Sequence, residues 1–160
     1  MSDGTYNQLL EDASGVSGTY TQQLAQLVEA SQGTQEAIDN LGTFYNEVGT
    51  VTSVPNNTET NICSVDLPAG TYVAFGFWRF SRGSGTYQAS LALSTVSGSS
   101  QASSVGYTQF PCTSECNVPA VTVGDIVVLQ NPGTLYLVAW QNSGSGKTIT
   151  NSNMQVVRIK

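Results

Sequence analysis

The stretch TYVAFGFWRF, residues 71–80, constrains this chain more than any other. Alternate side chains of an extended strand point to opposite faces. One face here carries Tyr72, Ala74, Gly76, Trp78 and Phe80, and the other Val73, Phe75 and Phe77. A strand in an isolated antiparallel sandwich needs only one apolar face, because water solvates the other. This one asks for two burial partners. TLYLVAWQN (134–142) is alike, with Leu135, Leu137 and Ala139 opposing Tyr136, Val138 and Trp140; in MQVVRIK (154–160), Met154 and Val156 oppose Val157 and Ile159. TYQASLALS (86–94) is the ordinary case, alternating Tyr87, Ala89, Leu91 and Leu93 with Gln88, Ser90, Ala92 and Ser94. Around a three-fold axis the second partner is the same sheet of neighbouring copies. Tyr72, Phe75, Phe77, Trp78, Tyr136, Trp140, Val157 and Ile159 are therefore expected in the core or trimer interface of a β head.

From Ile62 onward strands alternate with Gly, Ser and Asn turns, which predicts an antiparallel jelly-roll sandwich over residues 62–160. The expected strands are TNICSVDL, GTYVAFGFWRFSR and TYQASLALST, weaker ones at SSVGYTQF and PAVTVG, then DIVVLQN, GTLYLVAWQNS and SNMQVVRIK. A chain of 160 residues holds one such domain and an accessory segment.

The accessory segment has a different period. Positions 6, 10, 13, 17, 20, 24, 27, 31, 34, 38, 41, 45 and 48 alternate steps of four and three. They carry Tyr6, Leu10, Ala13, Tyr20, Leu24, Leu27, Ile38, Leu41, Tyr45 and Val48, interrupted by Ser17, Ser31 and Thr34. That is a coiled-coil seam. The flanking positions carry no charge (Leu9, Val16, Gln23, Ala30, Ala37 and Phe44 on one side; Ser14, Thr21, Val28, Gln35 and Gly42 on the other), which suits three strands better than two. The repeat predicts a trimeric helical stalk over residues 1–50 and a linker over 51–61. Interruptions are expected near Gly15 and Gly18 and between Ser31 and Gly33.

Charge follows the same division. Asp3, Glu11, Asp12, Glu29, Glu36, Asp39, Glu47 and Glu59 precede residue 61 without a single Lys or Arg; Arg79, Arg82, Lys147, Arg158 and Lys160 all follow it. In the heptad frame the stalk acids from Glu11 onward point away from the seam, where water solvates them. A net charge of −6 argues against a nucleic-acid partner. No basic-then-apolar leader opens the chain, and no apolar run is long enough to insert in a membrane, so a protein made in a cytosol is expected.

DLPAGTY (66–72), GTLYLVAWQNSG (133–144) and VVRIK (156–160) resemble the C-terminal heads of bacteriophage fibre proteins, which are similar in outline to the trimeric jelly rolls of the C1q and tumour-necrosis-factor superfamily. The resemblance implies a homotrimeric virion appendage, assembled in the host cytoplasm, that touches other virion proteins and binds a host-surface glycan or protein. A secreted C1q-like or tumour-necrosis-factor-like ligand would require a leader or anchor. A head serving mainly to nucleate trimer folding is the other alternative.

Catalysis is not expected. The absence of histidine removes Ser-His-Asp and Cys-His sites and every His-containing metal site, and neither a metal nor a cofactor is expected. The head acids Asp66, Glu115 and Asp125 are few, and Asp66 and Asp125 sit beside turns. Cys112 and Cys116, in PCTSECNVP, could close a small disulfide or remain two thiols; Cys63 stands apart. Arg79 and Arg82 beside Trp78 and Phe80 suit sugar hydroxyls or acidic sugars; the reading preferred is that the two aromatics are core or interface residues and the two Arg pair acids. Tyr107 and Phe110, in the Ser-rich stretch SGSSQASSVGYTQF and expected to be exposed, are the other candidate ligand contacts.

Overall fold

The computed structural model describes residues 20–81, 86–100, 104–112 and 120–160. The chain divides into two units between Leu41 and Gly42, each described by itself.

In the first unit, helix α1 spans Tyr20–Asp39. It has no acid in its first turn and no base in its last, so its own terminal turns do not complement its macrodipole. The helix runs unbroken through Gly33, although glycine costs about 1 kcal/mol there relative to alanine. Beside it, the Thr34 hydroxyl donates to the Ala30 carbonyl at 2.9 Å and the Gln35 amide to Asp39 at 2.7 Å. Leu24, Leu27, Val28 and Ile38 remain 40–56% exposed. No described helix is long and apolar enough to cross a membrane. Leu10 and Ala13, and the expected break at Gly15 and Gly18, lie outside the described residues.

The helix does not reach residue 50. Gly42 adopts a left-handed φ of +77°, and Phe44–Val48 is a strand, β1. Tyr45 and Val48 therefore leave the proposed seam. Positions three apart share a helix face but fall on opposite faces of a strand. Tyr45 lies opposite Val156 and meets the Tyr72 ring edge-on at 6.4 Å, whereas Val48 is exposed. Pairing with the last strand satisfies the backbone of this segment, which outweighs the helical period.

The second unit contains β1 and eight further strands: β2 (Ser53–Val54), β3 (Thr60–Leu67), β4 (Gly70–Phe80), β5 (Tyr87–Ser94), β6 (Ser104–Cys112), β7 (Ala120–Leu129), β8 (Gly133–Gln141) and β9 (Lys147–Arg158). All described pairings are antiparallel, in two sheets of order β1-β9-β4-β7 and β3-β8-β5-β6, with β2 also on β9. This is the strand order of a jelly roll. The supposed linker 51–61 belongs to the sandwich: Val54 is fully buried, and Asn57 N donates to the Gln141 carbonyl at 2.7 Å. PAVTVG and DIVVLQN are a single strand, β7, because Gly124 makes no turn; it lies opposite Phe75, and a Cβ there would stand 2.6 Å from the ring. Residues 142–146 join one sheet to the other and make no hairpin.

Between the sheets lies the core. Tyr72, Ala74, Trp78, Phe80, Val121, Val127, Met154 and Val156 of the first sheet meet Ile62, Leu67, Leu91, Leu93, Leu135 and Leu137 of the second. Trp78 and Phe80 stack with centroids 4.2 Å apart. Gly76 permits the approach of Leu137, which a Cβ at that position would strike. Two polar side chains at the edge of the core are tied down. The Tyr72 hydroxyl donates to the Pro68 carbonyl at 2.7 Å, and the Gln141 amide donates to Val54 and Ser145 carbonyls at 3.0 and 2.8 Å while accepting from Ser143 N.

Candidate functional site

The outward face of the first sheet is built by the second half of each strand's alternation. Cross-strand register places Phe44, Val157, Val73 and Ile126 in one row, and Asn46, Gln155, Phe75 and Gly124 in the next. Val48, Asn153, Phe77 and Thr122 form the third. Val128, opposite Thr71, extends the apolar end, and Ile159 follows Val157. Neighbours across an antiparallel pair have Cβ atoms about 4.5–5.5 Å apart, so these side chains form one continuous surface. Phe44, Phe75, Ile126 and Val128 are each 56–58% exposed, and Val48 is 62% exposed. Val73, Phe77 and Val157 are half-buried. A shallow depression lined by Phe75, Phe77, Thr122, Asn153 and Gln155 lies at its centre. The three rows contain no Asp, Glu, Lys or Arg. Contiguous exposed apolar surface of this kind marks an interaction site on a folded protein.

The residues expected in the core or interface divide cleanly. Tyr72 and Trp78 point into the core; Phe75, Phe77 and Val157 lie on this outward face. Tyr136 and Trp140 are on the other sheet, half-buried on its outward side opposite Ser94 and Ser90. There Ser90, Ala92, Ser94 and Val138 are themselves buried.

The candidate ligand residues do not converge. Arg79 is exposed at one end of the first sheet's outward face, opposite Asn151 and Ala120. Tyr107 and Phe110 lie on β6 of the second sheet, where the weaker strand SSVGYTQF was expected. They are 39% and 43% exposed, and their cross-strand partners Ala92 and Ala89 put them on opposite faces. Arg82 and Cys116 lie outside the described residues. Cys112 is buried at the end of β6, with its sulfur 3.8 Å from the Phe110 carbonyl.

The carboxylates are engaged locally. Asp66 accepts from the Thr134 hydroxyl at 2.6 Å, and Asp125 from the following backbone N–H at 2.7 Å. Glu115 lies outside the described residues. Among the described residues, no three His, Cys, Asp or Glu side chains gather as metal ligands. Burial, reinforced by the Glu47 carboxylate, pushes the Cys63 thiol up to about 12. Burial also raises the Tyr72 phenol, with Arg158 opposing the shift and Tyr45 adding to it. Both groups stay protonated at neutral pH, which is structural and not nucleophilic chemistry.

Sequence reasoning missed Phe44, Ile126 and Val128 as surface residues. Val73 had been placed correctly on the face with Phe75, but Phe44 was hidden inside the heptad frame.

No family model matches the chain, and no curated protein matches it. Among solved structures, the chain is similar to a structure of infectious bursal disease virus, Gt strain, at 10% identity and a TM-score of 0.49, over 73% of this chain and 33% of that one. It is also similar to Eiger TNF from S. frugiperda at 9% identity and a TM-score of 0.46, over 75% and 94% of the two chains. A third is the C-terminal CBM6 of LamC, a marine laminarinase from Zobellia galactanivorans, at 14% identity and a TM-score of 0.41, over 72% and 100%. The chain covers about a third of the length of the first. These likenesses are distant, and the jelly-roll class rests on the strand order and register above.

Proposed function

We propose that this chain is a non-enzymatic fibre module of a virion: a homotrimer held through the outward face of the first sheet, with α1 contributing to a helical stalk, that attaches to a host-surface glycan or protein. One observation carries it. Phe44, Val48, Phe75, Ile126 and Val128 are each more than half exposed on one face of a domain whose core is otherwise closed. Burial of such a face stabilises association by roughly 25 cal/mol per Å² of apolar surface removed from water. The largely exposed Leu24, Leu27 and Ile38 of α1 repeat the need for a partner in a separate element, at heptad spacing. Phage fibre heads supply the precedent for the combination, through the sequence phrases at 66–72, 133–144 and 156–160.

A second reading has a specific observation in its favour. Arg79, Tyr107 and Phe110 do not gather on one surface, which suits a head that serves chiefly to nucleate trimer folding. Binding of the fluorescently labelled chain to intact host envelopes separates the two. An adhesin binds, and a Phe75→Asp variant that no longer associates binds at least tenfold more weakly, because avidity is lost. No binding by the associated wild-type chain would favour the nucleation role.

A further inference from the structure

We infer that Asn46, Asn153 and Gln155 fix the register in which copies of this chain meet. This rests on the proposed subunit contact through the first sheet. The apolar side chains of that face give association but little direction, since any sliding of one apolar surface over another buries similar area. The amides are different. They form a corner on β1 and β9 beside Phe75 and Phe77, next to a wholly apolar row. The Asn153 amide donates to the Asn46 carbonyl oxygen at 2.8 Å. That bond uses one of two amide hydrogens of Asn153 and part of the acceptor capacity of Asn46. Each side chain keeps a donor and an acceptor, as does Gln155, so an amide corner is complementary to an amide corner of another copy.

A second copy is the occupant that the charge pattern fits. The molecule carries a net −6, yet these three rows hold no ionised group. Copies can meet here without like-charge repulsion, and a charged partner would gain nothing. Once copies close, an amide facing an apolar side chain would be buried without a hydrogen bond, which is costly. Arrangements that bring amide to amide, or amide to the Thr122 hydroxyl of the same face, avoid this cost, and a single polar group in an apolar seam is a known means of specifying register.

Two variants test this by sedimentation velocity on the full chain. Asn46→Val combined with Asn153→Val and Gln155→Val leaves the face apolar; association should persist, but as a spread of species in place of one. A single species identical to wild type would overturn the inference. Gln155→Glu keeps the shape and adds a charge on a residue exposed in the isolated chain, so folding is preserved. It should dissociate at pH 8 and reassociate near pH 4, where the carboxyl is protonated. A mass independent of pH and equal to wild type would place Gln155 outside the contact and overturn the inference. Ile126→Asp separates the two levels. If it leaves the wild-type mass unchanged, the subunit contact itself is elsewhere; if it dissociates the copies while both amide variants behave as wild type, the contact stands and the register role falls.

Discussion

The two faces of β4 have almost the same composition and opposite fates. Tyr72, Trp78 and Phe80 are fully buried; Phe75, three residues from both Tyr72 and Trp78 on the same strand, is 57% exposed. The inner face is closed by the second sheet of the same chain, whose Leu137 fits over Gly76. The outer face repeats the device, with the Phe75 ring lying over Gly124, but nothing among the described residues covers the ring from above. A strand therefore states how many partners it needs, and the chain supplies one of them. On the proposed function, the difference between the faces is the difference between folding and assembly.

Substitutions that distinguish the faces follow, beginning with the largest expected effect. Trp78→Ala removes a fully buried ring and should cost about 3–5 kcal/mol in urea unfolding. A loss under ~1 kcal/mol would mean the inner face is not the core. Gly76→Ala forces a methyl group into Leu137 and should cost about 1–3 kcal/mol in the same measurement. Gly124→Ala meets only the movable Phe75 ring, and should cost less than Gly76→Ala while weakening association. Equal costs would erase the distinction between the glycines.

Between the sheets, Cys63 gives a pH signature. Its thiol rises from an ordinary 9.0 to about 12 on folding, so the folded chain holds this proton more tightly than the unfolded chain. The stability it contributes is complete below pH 9 and is lost as pH rises toward 12. Cys63→Ala should flatten this alkaline decline in a series of unfolding curves; an unchanged slope would assign the decline to Tyr72 and other groups. Smallest of all, Leu27→Lys on the half-exposed face of α1 should alter unfolding of the second unit by no more than about 0.5 kcal/mol. Any effect should be on the association of copies, read as a shift in the concentration dependence of mass.

Much of the head was legible. TNICSVDL is β3 residue for residue, and the two apolar faces of residues 71–80 anticipated both the core and the open surface. Strand alternation is legible because burial imposes it directly on the sequence. The errors came where two physical causes write the same letters. Leu41, Tyr45 and Val48 keep a heptad spacing, yet the helix ends at Asp39, before all three, and pairing with β9 takes the last two into a sheet. Gly124 reads as a turn but is a seat for an aromatic ring, a role set by a residue about fifty positions away. Long-range register of that kind leaves no local mark, and so Ile126 and Val128 could not be assigned to the same face as Phe44 before the sheet order was known.

The most direct measurement is sedimentation equilibrium of the full chain beside its Phe75→Asp variant. The wild-type chain should show three times the 16.9 kDa of one copy, and the variant a single copy with an unchanged far-ultraviolet circular dichroism spectrum. A wild-type chain that stays monomeric, or a trimer indifferent to a carboxylate at position 75, would contradict the assignment of this face to the contact between copies.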